Sequence, residues 1–171
     1  EKEKKRVQKE REAAFRKALE EMRSPEDPAA IEVNDTFLEV FELVEKGEKF
    51  LFVTGKPGTG KSTLIRALRS RLSSTSVTVL SPTGMAALAV GGQTIHSFFQ
   101  FPLHILEEGH ATSSWSFKKK AMAMEVLVID EVSMVRSDLM WAIDQSLRIN
   151  RGRPREAFGG VRMLLFGDLH Q

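Results

Sequence analysis

From Asn34 onward the chain alternates two rhythms. Short apolar runs at Phe50–Val53, Val77–Leu80, Val126–Ile129 and Met163–Phe166 lack the in-and-out alternation of a half-exposed sheet. Unbroken apolar runs of this length are how strands covered on both faces read. Between them, Lys61–Leu72 and Ser137–Ile149 carry apolar residues at helical spacing. Ahead of the first run, Phe37, Leu38, Val40, Phe41, Leu43 and Val44 mark one helix face, with Asn34 or Asp35 as cap and Gly47 as stop. Strands alternating with helices predict an α/β fold, a mainly parallel sheet layered between helices.

Residues 1–23 read differently. They are mostly charged, with a thin helical stripe of Val7, Ala14, Phe15, Ala18, Leu19 and Met22, which predicts a solvated helix. Ser24-Pro25-Glu26-Asp27-Pro28 then breaks the pattern, because each proline removes a backbone donor and disfavours helix before it. The expected division is a charged helix and linker over 1–29, then a single α/β domain over 30–171. No internal repeat is evident.

Composition narrows the picture only a little. The 171 residues contain no cysteine, which removes disulfides and thiolate metal sites and fits an intracellular setting, its compartment unspecified. No stretch has the length and apolarity of a membrane span or of a secretory leader, so no membrane association is expected. The net charge is +2, but nine of 25 basic and six of 23 acidic residues fall in 1–23. The remainder holds sixteen against seventeen, so charge balance does not point the core toward nucleic acid. The chain starts without Met and stops soon after an apolar run, which reads as a fragment.

The first strand runs into Gly55-Lys56-Pro57-Gly58-Thr59-Gly60-Lys61-Ser62-Thr63, and a helix follows. Gly55, Gly60, Lys61 and Ser62 satisfy the phosphate-loop spacing in the strand-then-helix context it requires. Glycines let such a loop wrap tightly, so that backbone N–H groups from Gly58 to Ser62 point at phosphate oxygens. Gly55, Gly58, Thr59, Gly60, Lys61, Ser62 and Thr63 are therefore the candidate nucleotide-binding residues. Lys61 would reach the β- and γ-phosphates of a nucleoside triphosphate and the Ser62 hydroxyl would ligate Mg²⁺.

A phosphate loop needs a partner for metal and water. Val126–Ile129 ends in Asp130-Glu131, and ligands of open α/β sheets bind at the carboxyl ends of strands. Asp130 is the candidate Mg²⁺ ligand, through water, and Glu131 the candidate general base. Asp168 and Gln171 follow the last apolar run, where a glutamine can sense the γ-phosphate or the water beside it.

Several stretches together are more specific than the loop. Ser81-Pro82-Thr83-Gly84-Met85-Ala86-Ala87, the continuation to Thr94-Ile95-His96-Ser97-Phe98-Phe99, Asp130-Glu131-Val132-Ser133-Met134, Asp138-Leu139-Met140, Phe158-Gly159-Gly160-Val161 and Gly167-Asp168-Leu169-His170-Gln171 resemble motifs of the Pif (petite integration frequency) family of superfamily-one helicases. The resemblance runs over residues 49–171. It implies an ATP-driven motor that moves 5′ to 3′ on single-stranded DNA and unwinds duplexes. It also implies that this chain covers most of the first of two RecA-like domains. By the same match, Lys61, Glu131 and Gln171 act in catalysis, Gln171 touches the γ-phosphate, and Thr83 and Gly84 touch the DNA backbone. Such helicases carry a glutamine before the phosphate loop that reads adenine. No glutamine stands between Gln8 and Gln93 here, and Asn34 fits that position only loosely.

Read from the residues themselves, Thr83 and the Gly84 amide can bind a phosphate, and His96, Phe98 and Phe99 can stack on bases. The competing reading packs Met85–Val90 as a helix and puts the two phenylalanines in the core. Residues 104–124 match no assignable motif, and Lys118-Lys119-Lys120 reads as a solvated run.

Overall fold

The computed structural model describes residues 35–72, 77–107, 111 and 114–168, together with seven positions between 3 and 17. Those seven are all helical, and Arg6 lies 3.6 Å from both Glu3 and Glu10 along one exposed face. Surface pairs of this kind contribute only about 0.3–0.5 kcal/mol each. The expected linker at 24–29 lies outside the described residues.

Five strands form one sheet: β1 (Phe50–Thr54), β2 (Val77–Ser81), β3 (Gln93–Thr94), β4 (Val126–Ile129) and β5 (Arg162–Gly167). Their order is β1, β5, β4, β2, β3, and every pairing is parallel. The helices are α1 (Asp35–Glu45), α2 (Lys61–Arg71), α3 (Gly84–Ala89), α4 (Ile95–Phe99), α5 (Trp115–Ala123) and α6 (Ser137–Arg151).

Strand alternation sorts the side chains into two cores. Val77, Val79, Val126, Val128, Leu164 and Phe166 face α1 and α2, meeting Phe37, Val40, Phe41, Val44, Leu64, Ile65 and Leu68. Leu80, Leu127, Ile129 and Met163 face the other way, toward α4, α5 and α6. Each such side chain contributes about 1.5–3 kcal/mol when fully buried. Coverage on both faces is why β4 reads as four consecutive apolar residues.

β1 departs from that expectation. Among the described residues it stands at the end of the sheet, and the second core is built on β2, β4 and β5. Phe50 and Phe52 are therefore 52% and 43% exposed, although Phe50 still meets the ring of Phe158 at 5.9 Å.

α1 ends as its sequence implies. Gly47 takes φ +81°, and the N–H groups of Gly47 and Glu48 return to the carbonyls of Val44 and Leu43. Three elements escape the pattern reading: β3, α4 and α5. β3 has two residues and α4 five, too few for periodicity to register. α5 arises within the unassigned 104–124 stretch, capped by Ser114, whose hydroxyl accepts from the Phe117 N–H, and it buries Phe117 and Ala121.

The approach to β5 is a left-handed turn, with φ of 51°, 59° and 78° at Phe158, Gly159 and Gly160. A methyl on Gly159 would sit 2.6 Å from the Leu147 carbonyl oxygen. Asp144 accepts from the Phe158 N–H at 2.6 Å, and Arg151 donates to the carbonyls of Gly159 and Met124. These bonds tie the turn to α6 and so position β5.

Candidate functional site

Because all strands are parallel, their carboxyl ends share one edge, where ligands of such sheets bind. The β1 end enters the glycine loop. Gly55 N–H donates to the Gly167 carbonyl at 3.3 Å, which anchors the loop to the neighbouring β5. Gly58 and Gly60 take φ of +78° and +86°, conformations that favour glycine.

Gly60 caps α2, whose first helical bond runs from Leu64 N–H to the Gly60 carbonyl at 2.9 Å. The N–H groups at the helix start have no intrahelical partner, and the helix dipole places positive potential there. The Lys61 ammonium donates to the carbonyls of Gly55 at 2.5 Å and Lys56 at 2.9 Å, which sets a cation inside the loop. Thr59 Oγ1 donates to the Lys56 carbonyl at 2.8 Å and tightens the turn.

At the β4 end, Asp130 is 3% exposed and its Oδ1 accepts from the Glu131 N–H at 3.0 Å. Burial pushes its carboxyl up from the ordinary range. The Glu131 N–H and the Lys61 ammonium pull it down, and the Glu131 carboxylate adds to the rise. Lys61 and Asp130 thus lie within electrostatic reach. Glu131 is half-buried and adopts left-handed φ 52°, uncommon without glycine and a place where backbone strain collects. It opens a short 3₁₀ turn, Val132–Met134. The β5 end packs on this turn, since a methyl on Gly167 would stand 2.9 Å from Val132 Cγ1. Asp168, just beyond, is buried.

The β2 end carries the segment expected to meet nucleic acid. Thr83 caps α3, its hydroxyl accepting from the Ala86 N–H at 3.3 Å. That uses an acceptor lone pair and leaves the hydroxyl proton for another partner. Gly84 is exposed, and so are Met85 and Leu88; only Ala87 of α3 is buried. The segment is helical but not the packed helix of the competing reading: Met85 and Leu88 are exposed, and Val90, just past the helix end, is buried. Arg66 and Arg69 of α2 donate to the carbonyls of Ala89 and Gly91, joining the helix that begins at the phosphate loop to the far end of α3.

His96 and Phe98 are half-buried on α4. Phe98 packs edge-on against Phe99 and Phe117, and the Lys120 ammonium lies 5.8 Å from its ring centre. Phe99 is fully buried and stacks on Phe101, which makes it core. Lys118, Lys119 and Lys120 are all exposed.

The fold therefore brings Gly55–Thr63, Asp130, Glu131, Asp168, Thr83 and Gly84 to one edge of the sheet. Gln171 and Asn34 lie outside the described residues. Pattern reading misses three local roles. Phe37 of α1 abuts Gly60, Asp138 ties the start of α6 to Leu106, and Ser81 ends β2 as a buried hydroxyl. Asp138 pairs with Arg136 and also accepts from the Leu106 N–H at 2.9 Å, which together hold its carboxyl well below the usual range. Only long-range proximity reveals such contacts, so sequence offers no signal for them.

The PIF1-like helicase pattern matches residues 31–171 of the chain. An ATP-dependent DNA helicase PIF7 of Trypanosoma brucei brucei is 36% identical over 141 residues, covering 77% of this chain and 14% of its own length. The ATP-dependent DNA helicase Pif1 of Bdellovibrio bacteriovorus is 34% identical over 147 residues, covering 82% and 33%. Among solved structures, Bacteroides Pif1 helicase in complex with ADP-AlF3 and ssDNA matches with TM-score 0.75 at 36% identity, over 83% of this chain and 33% of that one. Pif1 helicase from Candida albicans matches with TM-score 0.66 at 31% identity, over 83% and 34%. The chain thus spans about a third or less of these relatives. The parallel sheet and its flanking helices are those of a RecA-like domain in these helicases. With the glycine loop, the paired carboxylates and the Thr83-Gly84 turn all falling inside the matched span, the chain belongs to the PIF1-like helicase family.

Proposed function

We propose that residues 30–171 are most of the first RecA-like motor domain of an ATP-dependent DNA helicase, preceded by a charged helix and linker over 1–29. The whole protein would translocate 5′ to 3′ on single-stranded DNA and unwind duplexes, inside the cell where that DNA resides. The observation that carries this reading is the shared edge at which the phosphate loop, Asp130-Glu131 and Thr83-Gly84 converge. The Bacteroides relative solved in complex with both ADP-AlF3 and ssDNA supports a protein that holds both ligands.

The residues present fit a nucleotide and Mg²⁺. The Thr59 N–H is taken up by the Lys56 carbonyl, but the N–H groups at the start of α2 have no intrahelical partner and the Lys61 ammonium lies inside the loop, a set suited to phosphate oxygens. Ser62 and the buried Asp130 are hard oxygen donors. Among the described residues no cluster of three or more His, Cys, Asp or Glu forms an all-protein cage. Mg²⁺ takes few protein oxygens and keeps waters and phosphate oxygens, so this sparse set suits it. Mg²⁺, when bound, would supply charge that offsets the triphosphate's.

In this reading Gly55, Gly58, Thr59, Gly60 and Thr63 cradle the triphosphate while Lys61 offsets its charge. Ser62 and Asp130 hold the metal, and Glu131 takes a proton from the attacking water. Gln171 senses the γ-phosphate. Thr83 donates its hydroxyl proton, and Gly84 its amide, to a DNA phosphate, while His96 and Phe98 lie against the strand. A second RecA-like domain would supply the arginine that stabilises transition-state charge, an effect of roughly 10³ or more in rate.

The test is the ATPase rate of the full-length protein with and without single-stranded DNA. Strong stimulation by single strands is expected. A rate indifferent to DNA would favour another phosphate-loop ATPase or a regulatory nucleotide-binding module, and would overturn the motor reading.

A further inference from the structure

Ser81 is fully buried, and its Oγ has no hydrogen-bond partner among the described residues. Buried hydroxyls are nearly always satisfied, so an orphan inside a candidate site calls for a ligand-side explanation. Its placement supplies one. β2 and β4 pair with Leu80 opposite Ile129, and the Asp130 N–H continues the ladder by donating to the Leu80 carbonyl at 2.9 Å. The next step of that register sets Ser81 beside Asp130.

Alternation fixes the side of the sheet as well. Val77 and Val79 on β2, and Val126 and Val128 on β4, face α1 and α2, so Ser81 and Asp130 fall on that same face. This is the face on which α2 begins, with Lys61 and Ser62 at its start. Adjacent strands lie about 4.8 Å apart, so the Ser81 and Asp130 side chains leave the sheet side by side.

We propose that Ser81 is a positioning residue of the metal site, its hydroxyl holding a water between Asp130 and the cation coordinated by the nucleotide. The inference rests on the nucleotide and Mg²⁺ reading above. A metal that reaches its protein carboxylate through water depends on that water's other hydrogen bonds. Groups that orient the inner ligands typically change metal affinity about 10- to 100-fold when removed.

The test uses Mn²⁺ in place of Mg²⁺, titrated in the presence of ADP and followed by electron paramagnetic resonance on the full-length protein. Ser81→Ala is expected to weaken Mn²⁺ binding about tenfold. ADP affinity without metal, and the melting temperature, should stay at parental values. Ser81→Cys, close to serine in volume, is expected to weaken Mn²⁺ similarly, which separates lost hydrogen bonding from lost packing. Unchanged Mn²⁺ affinity in both variants overturns the proposal, as does an equal loss of metal-free ADP affinity. A parent protein that binds ADP but shows no nucleotide-dependent Mn²⁺ site overturns the underlying metal reading, and Ser81 falls with it.

Discussion

A methyl group on Gly60 would stand 2.9 Å from Cζ of Phe37, so the helix ahead of β1 and the phosphate loop share one close contact. Gly60 also has φ +86°, where a side chain costs about 1–2 kcal/mol. Gly60→Ala is therefore expected to lower nucleotide affinity at least about tenfold, measured by titration calorimetry, because about 1.4 kcal/mol is tenfold in affinity. Adding Phe37→Ala removes the clash and leaves the backbone strain, so the double variant should recover only part. Parental affinity in Gly60→Ala would show that the loop does not depend on this conformation.

In the proposed roles, Glu131 and Lys61 separate chemistry from binding. Glu131→Gln keeps size and hydrogen bonding but cannot accept a proton, so DNA-stimulated hydrolysis should fall about 10²- to 10⁴-fold with nucleotide binding retained. Lys61→Ala should lose nucleotide binding itself. Single-turnover hydrolysis alongside equilibrium binding distinguishes the two. Normal turnover in Glu131→Gln would move the base elsewhere.

Asp130 should make the fold less stable at neutral pH than an uncharged isostere would. Its carboxyl is raised by burial above 3.8, so the folded chain holds this proton to higher pH than the unfolded chain does. Stability then falls as pH rises from about 3.8 through the raised value, and the deficit persists above it. An asparagine at this position would keep the bond from the Glu131 N–H without the charge; Asp130→Asn should accordingly melt higher than the parent at pH 7. The difference should shrink as the pH approaches 4. Thermal melts from pH 4 to 8 check this, and an Asp130→Asn protein that melts lower at pH 7 would contradict it.

Phe98 and Phe99 are adjacent yet differ in burial. Phe99 is fully enclosed between Phe98, Phe101 and Phe117, so Phe99→Ala should cost about 3–5 kcal/mol of stability. Phe98 keeps one side open. Phe98→Leu should leave the fold intact and weaken single-stranded DNA binding about tenfold, the scale of one lost base stack. Denaturant melts paired with fluorescence anisotropy separate the effects. An unchanged DNA affinity would assign Phe98 to packing alone.

The match between sequence and structure is uneven for physical reasons. Val126–Ile129 and the glycine loop were legible because each is a local requirement: four apolar residues for a strand covered on both faces, glycines for positive φ. α6 was legible because fifteen residues repeat its apolar face often enough to register. β1 misled, since nothing within Phe50–Val53 says that it has a single neighbouring strand among the described residues. α5 stayed hidden because its core contacts are only Phe117 and Ala121, set beside three lysines.

By itself the sequence determined the parallel α/β class, the phosphate loop and the carboxylate pair, because strand burial, left-handed turns and helix starts are encoded within a few neighbouring residues. Tertiary structure alone decided strand order, and with it which chemistry meets. Placing β5 between β1 and β4 bonds Gly55 to Gly167, and pairing β2 with β4 brings Ser81 beside Asp130, 49 positions later in the chain. Those neighbours are chosen by burying two sheet faces at once, a condition on the whole chain that no short segment records.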